Sequence, residues 1–212
     1  MSSRTRRFAA VGTLVLGSAA LCAVIVLMPR SIAYMREHPT VAKEIRARFM
    51  GASYVDRTSV VRQQRTYDCG AACLKMILST RGIDRSLDEL TVAAQTTRRG
   101  ASLLALRAAA QRYGVRSKAW SLTATDLARA PFPVIAFVGG DHYVVVRSLI
   151  APEILEVDDP AIGKLRWPLK AFTKRWSGET LVFDPAWAPP QDAMSQNNDY
   201  KLVLASAKIT NR

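Results

Sequence analysis

The chain has 212 residues, 49% of them hydrophobic, so it holds one medium domain plus extensions. Three cysteines exclude a disulfide framework, and two histidines without a Cys-x-x-Cys or His-Glu-x-x-His pattern leave a zinc site poorly supplied. The net charge of +13 raises nucleic acid as a partner, but residues 51–190 carry 19 basic and 13 acidic residues in scattered rather than striped order, which argues against it.

Residues 1–30 read as a signal anchor. Arg4, Arg6 and Arg7 precede an apolar run from Phe8 to Met28, and Arg30 follows it. About 20 apolar residues span a bilayer core, whereas secretory h-regions are shorter. Ser31-Ile32-Ala33 keeps a cleaved peptide open as the alternative. Counting Arg30, Arg36, Lys43, Arg46 and Arg48 after the run against three arginines before it favours a cytoplasmic domain. A short basic N-tail ahead of a long translocated domain favours the reverse, and the expectation is a single-pass cytoplasmic-membrane protein with its catalytic domain on the extracytoplasmic (periplasmic) side. Residues 31–57 read as a juxtamembrane stalk, amphipathic and interrupted at Pro39, with His38 a solvated stalk residue.

Residues 58–185 carry a globular pattern. "SVVRQQ" suggests a short strand. Asp68 is placed to cap a helix from Cys69 to about Arg81, stopped by Gly82. Ser86-Leu87-Asp88-Glu89 reads as a capping box opening a second helix, and Ser102 opens a third that ends at Gly114. "VRSKAW" predicts a strand and "TATDLARA" a helical turn. Beyond Pro131 the period changes: "FPVIAFV", "HYVVVRSLI", "EILEVDD" and "TLVF" are short β-branched runs separated by Gly-Gly, Ala-Pro and Asp-Pro breaks, with a helical "PLKAFTKRW" between them. Helices first and strands later predict an α+β fold, N-terminal helices packed on an antiparallel sheet. Residues 186–212 read as a polar, disordered tail.

"TYDCGAACLKMIL" carries the chemistry. A cysteine at a helix N-terminus faces the positive end of the macrodipole and free N–H groups, which favour thiolate. Cys69 is therefore a candidate nucleophile. Cys73, one turn on, shares an apolar face with Met76 and Ile77 and reads as core. Two cysteines four apart on a helix have poor geometry for a disulfide. A thiol nucleophile needs a base, and His142, directly after a Gly-Gly turn, is the histidine outside the stalk. An orienting carboxylate is available from Asp158 or Asp159, which end the next run. A lone histidine at a strand start and an Asp-Pro turn also have ordinary structural readings.

The order of cysteine, histidine and aspartate is similar to that of papain-like enzymes. More closely, "QQRTYDCGAACLKMIL", "DHYVVV" and "DPAIG" resemble the three signature blocks of the double-glycine peptidases, the bacteriocin-processing cysteine peptidases often found as the N-terminal domain of peptide-exporting ABC transporters. The resemblance covers residues 60–184. It implies a papain-like cysteine peptidase fold and cleavage of a leader after Gly-Gly, without cofactor or metal. It implies Cys69 as nucleophile, His142 as base and Asp159, immediately before Pro160, as its orienter. It places the oxyanion-hole glutamine six residues before the cysteine, at Gln63 rather than Gln64. It implies as partners a peptide or protein with a Gly-Gly leader and a secretion channel or exporter, joined here by the membrane through residues 8–28. Arg65 departs from the pattern, which often has an acid two places after that glutamine. No transporter or ATPase is expected within the chain, so export is expected to be another protein's work. A papain-like acyl or amide transferase and a non-catalytic leader-binding module are the alternatives; the second is expected to lose the cysteine that this chain keeps.

Overall fold

The computed structural model describes residues 39–56 and 60–189. The apolar run 8–28 lies outside the described residues, as do Cys22, His38 and the tail beyond 189. Among the described residues no helix is long and apolar enough to cross a membrane. The chain divides into two units between Ile45 and Arg46. Of the first, the described part is the opening of helix α1 (Pro39–Phe49). The described part of that helix starts at Pro39.

The second unit is built on β1 (Ser53–Asp56), α2 (Cys69–Ser79), α3 (Leu87–Ala93), α4 (Leu103–Arg112), β2 (Lys118–Ser121), α5 (Ala124–Arg129), β3 (Val134–Val138), β4 (His142–Ala151), β5 (Ile154–Asp159), β6 (Gly163–Pro168), α6 (Leu169–Phe172) and β7 (Trp176–Val182). The seven strands form one antiparallel sheet in the order β1-β6-β5-β4-β3-β7-β2. This is the α+β arrangement that the change of period predicts.

Both faces of the sheet are covered. Ile135, Val145 and Leu181 point into a core shared with Leu74, Ile77 and Leu78 of α2 and with α3 and α4. Val134, Val144, Val146, Leu155, Val157 and Trp167 point into a second core on the opposite face. That is why β4 reads Val144-Val145-Val146 without alternation: each residue is fully buried, on one face or the other. Nine of the eleven residues of α2 are buried, so α2 is the central helix, held between the sheet and its two companions.

The first-turn fit of α2 explains the glycine after Cys69. A Cβ at Gly70 would sit 3.1 and 3.2 Å from the Leu106 methyls and 3.3 Å from the Tyr143 ring. The small residue lets the helix start press down on α4 and β4. The Gly-Gly turn is equally specific. Gly139 and Gly140 adopt φ of +68° and +81°, and the tight turn they allow pairs Val138 with His142 at the very start of β4.

Several local expectations are corrected. Val60 to Gln64 form a loop, not a strand. Strands β1 and β6 carry no prediction. "PLKAFTKRW" is helical only over Leu169–Phe172, and its last residue, Trp176, starts β7. Ser86 accepts the Glu89 N–H at 3.1 Å, but the Glu89 carboxylate turns to Arg85 and Tyr113 instead of closing the box.

Candidate active site

Antiparallel order brings the start of β4 and the end of β5 to the same edge of the sheet, and the N-terminus of α2 opens there. Cys69 is the first residue of α2 and is 3% exposed. His142 is the first residue of β4. Its Nε2 lies 3.0 Å from Asp159 Oδ1, and the imidazole is also hydrogen-bonded to Cys69. The imidazole is thus influenced by both the Asp159 carboxylate and the Cys69 thiol.

Asp159 is pinned on its own account. Its Oδ1 also accepts the Ala161 N–H at 2.7 Å and the Ile162 N–H at 3.1 Å, so the Asp-Pro turn aims the carboxylate at the ring. Asp158, one residue earlier, points to the opposite face of the strand and meets Arg147 Nε at 2.5 Å. The register explains the choice. Val145 pairs with Asp158, and as neighbours on one strand Asp158 and Asp159 turn to opposite faces, so one of them alone meets the ring. The imidazole thus contacts Asp159, while Asp158 contacts Arg147.

The electrostatics follow from this packing. Burial would push the His142 proton off, but the hydrogen bonds from Asp159 and Cys69, and their charges, win and raise its pKa to about 10. Burial would raise Asp159, yet the His142 hydrogen bond and charge and the two backbone N–H groups hold it below the ordinary carboxylate range. Burial pushes the Cys73 thiol well up.

Gln63 lies on the loop before α2, and its backbone N–H donates to Pro160 O at 3.2 Å. The Arg62 guanidinium donates to Ala161 O on the same turn. These bonds dock the glutamine loop against the turn that carries Asp159. The Gln63 amide Nε2 donates to Arg65 O at 2.8 Å, while Oε1 is buried without a hydrogen bond. Gln64, by contrast, is exposed. The structure thus brings together Cys69, His142 and Asp159, and ties Gln63 by its backbone to the turn after Asp159.

Asp68 corrects the sequence reading. It precedes α2 as expected, and its carbonyl accepts the Ala72 N–H at 3.0 Å, but its side chain makes no cap bond. The carboxylate is fully buried and faces back into the loop, accepting the N–H groups of Gln64 at 3.3 Å and Arg65 at 3.1 Å. Tyr143, next to His142, is buried against Gly70 with its ring 4.8 Å from Phe137, and packs the start of β4 on the start of α2.

A thiol at the start of a central helix, facing an imidazole and a carboxylate from neighbouring antiparallel strands, defines the class of papain-like cysteine peptidases. Within it, the chain belongs to the Peptidase C39 family, whose sequence model matches residues 57–187. Over 150 residues it is 31% identical to the lactococcin-A transport/processing ATP-binding protein LcnC of Lactococcus lactis subsp. lactis, covering 66% of this chain but 21% of that protein. It is 28% identical over 160 residues to a Pseudomonas aeruginosa protein named "Probable functional amyloid protease FapD", covering 65% of this chain and 69% of that one. Among solved structures it is similar to a double-glycine motif protease from an AMS/PCAT transporter in complex with its leader peptide. There the identity is 28% and the TM-score 0.56, over 58% of this chain and 89% of that one. The chain is thus a member of a peptidase family, similar to a transport/processing protein and to a double-glycine motif protease.

Proposed function

We propose that this protein cleaves a leader or precursor peptide after a Gly-Gly-type pair, in a pathway of peptide or protein secretion, and that Cys69, His142, Asp159 and Gln63 carry the reaction. The observation that carries the reading is the imidazole held between Cys69 and, at 3.0 Å, Asp159. The Cys69 sulfur attacks the scissile carbonyl carbon. The oxyanion that forms is met by the Gln63 amide and the Cys69 backbone N–H. His142 gives its proton to the leaving amine as the C–N bond breaks, leaving a thioester. Water then attacks the thioester, losing a proton to His142, and the thiolate departs. Asp159 keeps the ring oriented throughout. The names of the relatives support the substrate class: LcnC is a transport/processing protein, and the transporter protease was solved with a leader peptide. The similarity to FapD, named a probable functional amyloid protease, supports a peptidase reading as well.

The test is incubation of the full chain with a synthetic leader of about 20 residues ending in Gly-Gly and followed by a short cargo, read by mass spectrometry. We expect one cut after Gly-Gly. Shortening the leader should lower activity, because binding energy remote from the scissile bond helps to position it. Equal turnover of a bare Gly-Gly tetrapeptide, or a cut elsewhere, overturns the specificity.

The same reading includes an anchor at residues 8–28 with the catalytic domain on the extracytoplasmic side of the membrane, supported by the length of the apolar run. A membrane-impermeant thiol probe or protease added to intact spheroplasts should reach the domain. Protection until lysis inverts the orientation.

A further inference from the structure

We propose that Asp68 is a positioning residue for the oxyanion site: its carboxylate fixes the turn 63–65 so that the Gln63 amide faces the reacting carbonyl. The inference rests on the assignment of Gln63 as the oxyanion donor above.

Burying a carboxylate is costly unless hydrogen bonds replace the water it loses. Asp68 is 0% exposed, at the cap position of α2, where a serine would serve the helix as well. Its side chain does not serve the helix at all. One oxygen accepts the Arg65 N–H at 3.1 Å, and the other accepts the same N–H at 3.1 Å and the Gln64 N–H at 3.3 Å. The Arg65 guanidinium reaches across at 3.8 Å and pairs with Asp88 of α3 at 2.8 Å, tying the turn to a second helix. The Arg65 peptide is thereby held from its N–H side.

Its carbonyl holds Gln63. Nε2 donates to Arg65 O at 2.8 Å, and a carboxamide is planar with its two N–H bonds about 120° apart. Fixing one N–H fixes the direction of the other, which is the one left for an oxyanion. The orientation of the catalytic amide therefore depends on the Arg65 peptide, and that peptide depends on Asp68. A carboxylate can accept from this pair of N–H groups with both oxygens. A carboxamide offers one acceptor and turns N–H toward N–H with the other. What this relay uses of Arg65 is its backbone.

The experiment is a double-mutant cycle of Asp68→Asn and Gln63→Ala in the full chain. It is assayed on a leader peptide ending in Gly-Gly-aminomethylcoumarin and compared with iodoacetamide alkylation read by mass spectrometry at the Cys69 peptide. Alkylation uses the thiolate but develops no oxyanion. We expect Asp68→Asn to lower kcat on the order of 10-fold to 100-fold with KM nearly unchanged, the scale of a misplaced catalytic group. In the Gln63→Ala background the further loss should shrink to less than about twofold, as expected for residues acting as a unit. Cys69 alkylation should keep its wild-type rate. An equal loss in both backgrounds, or alkylation that falls in step with turnover, overturns the proposal. If Gln63→Ala alone leaves kcat unchanged, the oxyanion assignment fails and the relay with it, whereas the nucleophile assignment stands or falls separately with Cys69→Ala. Should Asp68→Asn not fold, Asp68→Ser, which keeps a helix cap, carries the same cycle under the same criteria.

Discussion

Cys69→Ala is expected to lower turnover by at least about 10⁴-fold, whereas Cys73→Ala is expected to retain it. The two thiols sit one helical turn apart, and both are buried, but the fold gives them different neighbours. Cys69 is the first residue of α2, hydrogen-bonded to His142, at the edge where the strands end. Cys73 has no exposed surface and lies in the core between α2 and the sheet. Burial pushes its thiol well up, so it stays protonated and unreactive at neutral pH. Losing its sulfur should cost about 1–2 kcal/mol of stability through a small cavity, seen as a lower Tm. Peptide turnover and thermal melting of the two variants decide the matter. A folded Cys73→Ala protein that is inactive beside an active Cys69→Ala protein reverses the assignment.

What the sequence makes legible is local. The helix start at Cys69, the Ser102 cap, the Gly-Gly turn before His142 and the β-branched runs all carry short-range signals, and each lies where those signals put it. β6 is missed although Leu165 and Trp167 alternate with Lys164 and Arg166, a half-buried pattern masked by the flanking glycine and proline. β1, four residues at the sheet edge and mostly exposed, has too little apolar pattern to be seen. "SVVRQQ" misleads because Val60 contributes to the core from a loop. The site is legible in its residue types but not in its pairings. That Asp159 rather than Asp158 meets the histidine depends on the β4–β5 register, and register is a non-local property. The role of Asp68 is hidden for a related reason. An aspartate before a helix is ordinarily read as its cap, and only the folded loop shows it facing Gln64 and Arg65.

That register leads to the sharpest distinction between adjacent residues. Asp159→Asn should lower kcat/KM about 100-fold or more, because the imidazole loses both its orientation and the charge that holds its proton. Asp158→Asn should leave catalysis nearly intact. It removes the charge facing Arg147, which is itself partly exposed, so its cost falls on stability, at about 1–3 kcal/mol. The pH profile separates the two variants independently. In the wild type His142 has a pKa raised from 6.5 to about 10, so its proton is available to the leaving amine until the pH rises toward that value, and the alkaline limb of kcat/KM belongs there. The corresponding contribution to stability is complete below 6.5 and is lost as the pH rises through about 10. Asp159 has the opposite sign: its pKa is lowered, so its contribution is present above the ordinary carboxylate value and is lost as the pH falls through the depressed one. Asp159→Asn weakens the hydrogen bond that is the largest of the influences raising His142 and removes the Asp159 charge as well. The alkaline limb of Asp159→Asn should therefore move to lower pH, while that of Asp158→Asn stays in place. Because the chain has only two histidines, an NMR titration with His38→Gln as the reference reads the His142 proton directly. An alkaline limb that moves in Asp158→Asn and not in Asp159→Asn exchanges the roles of the two carboxylates.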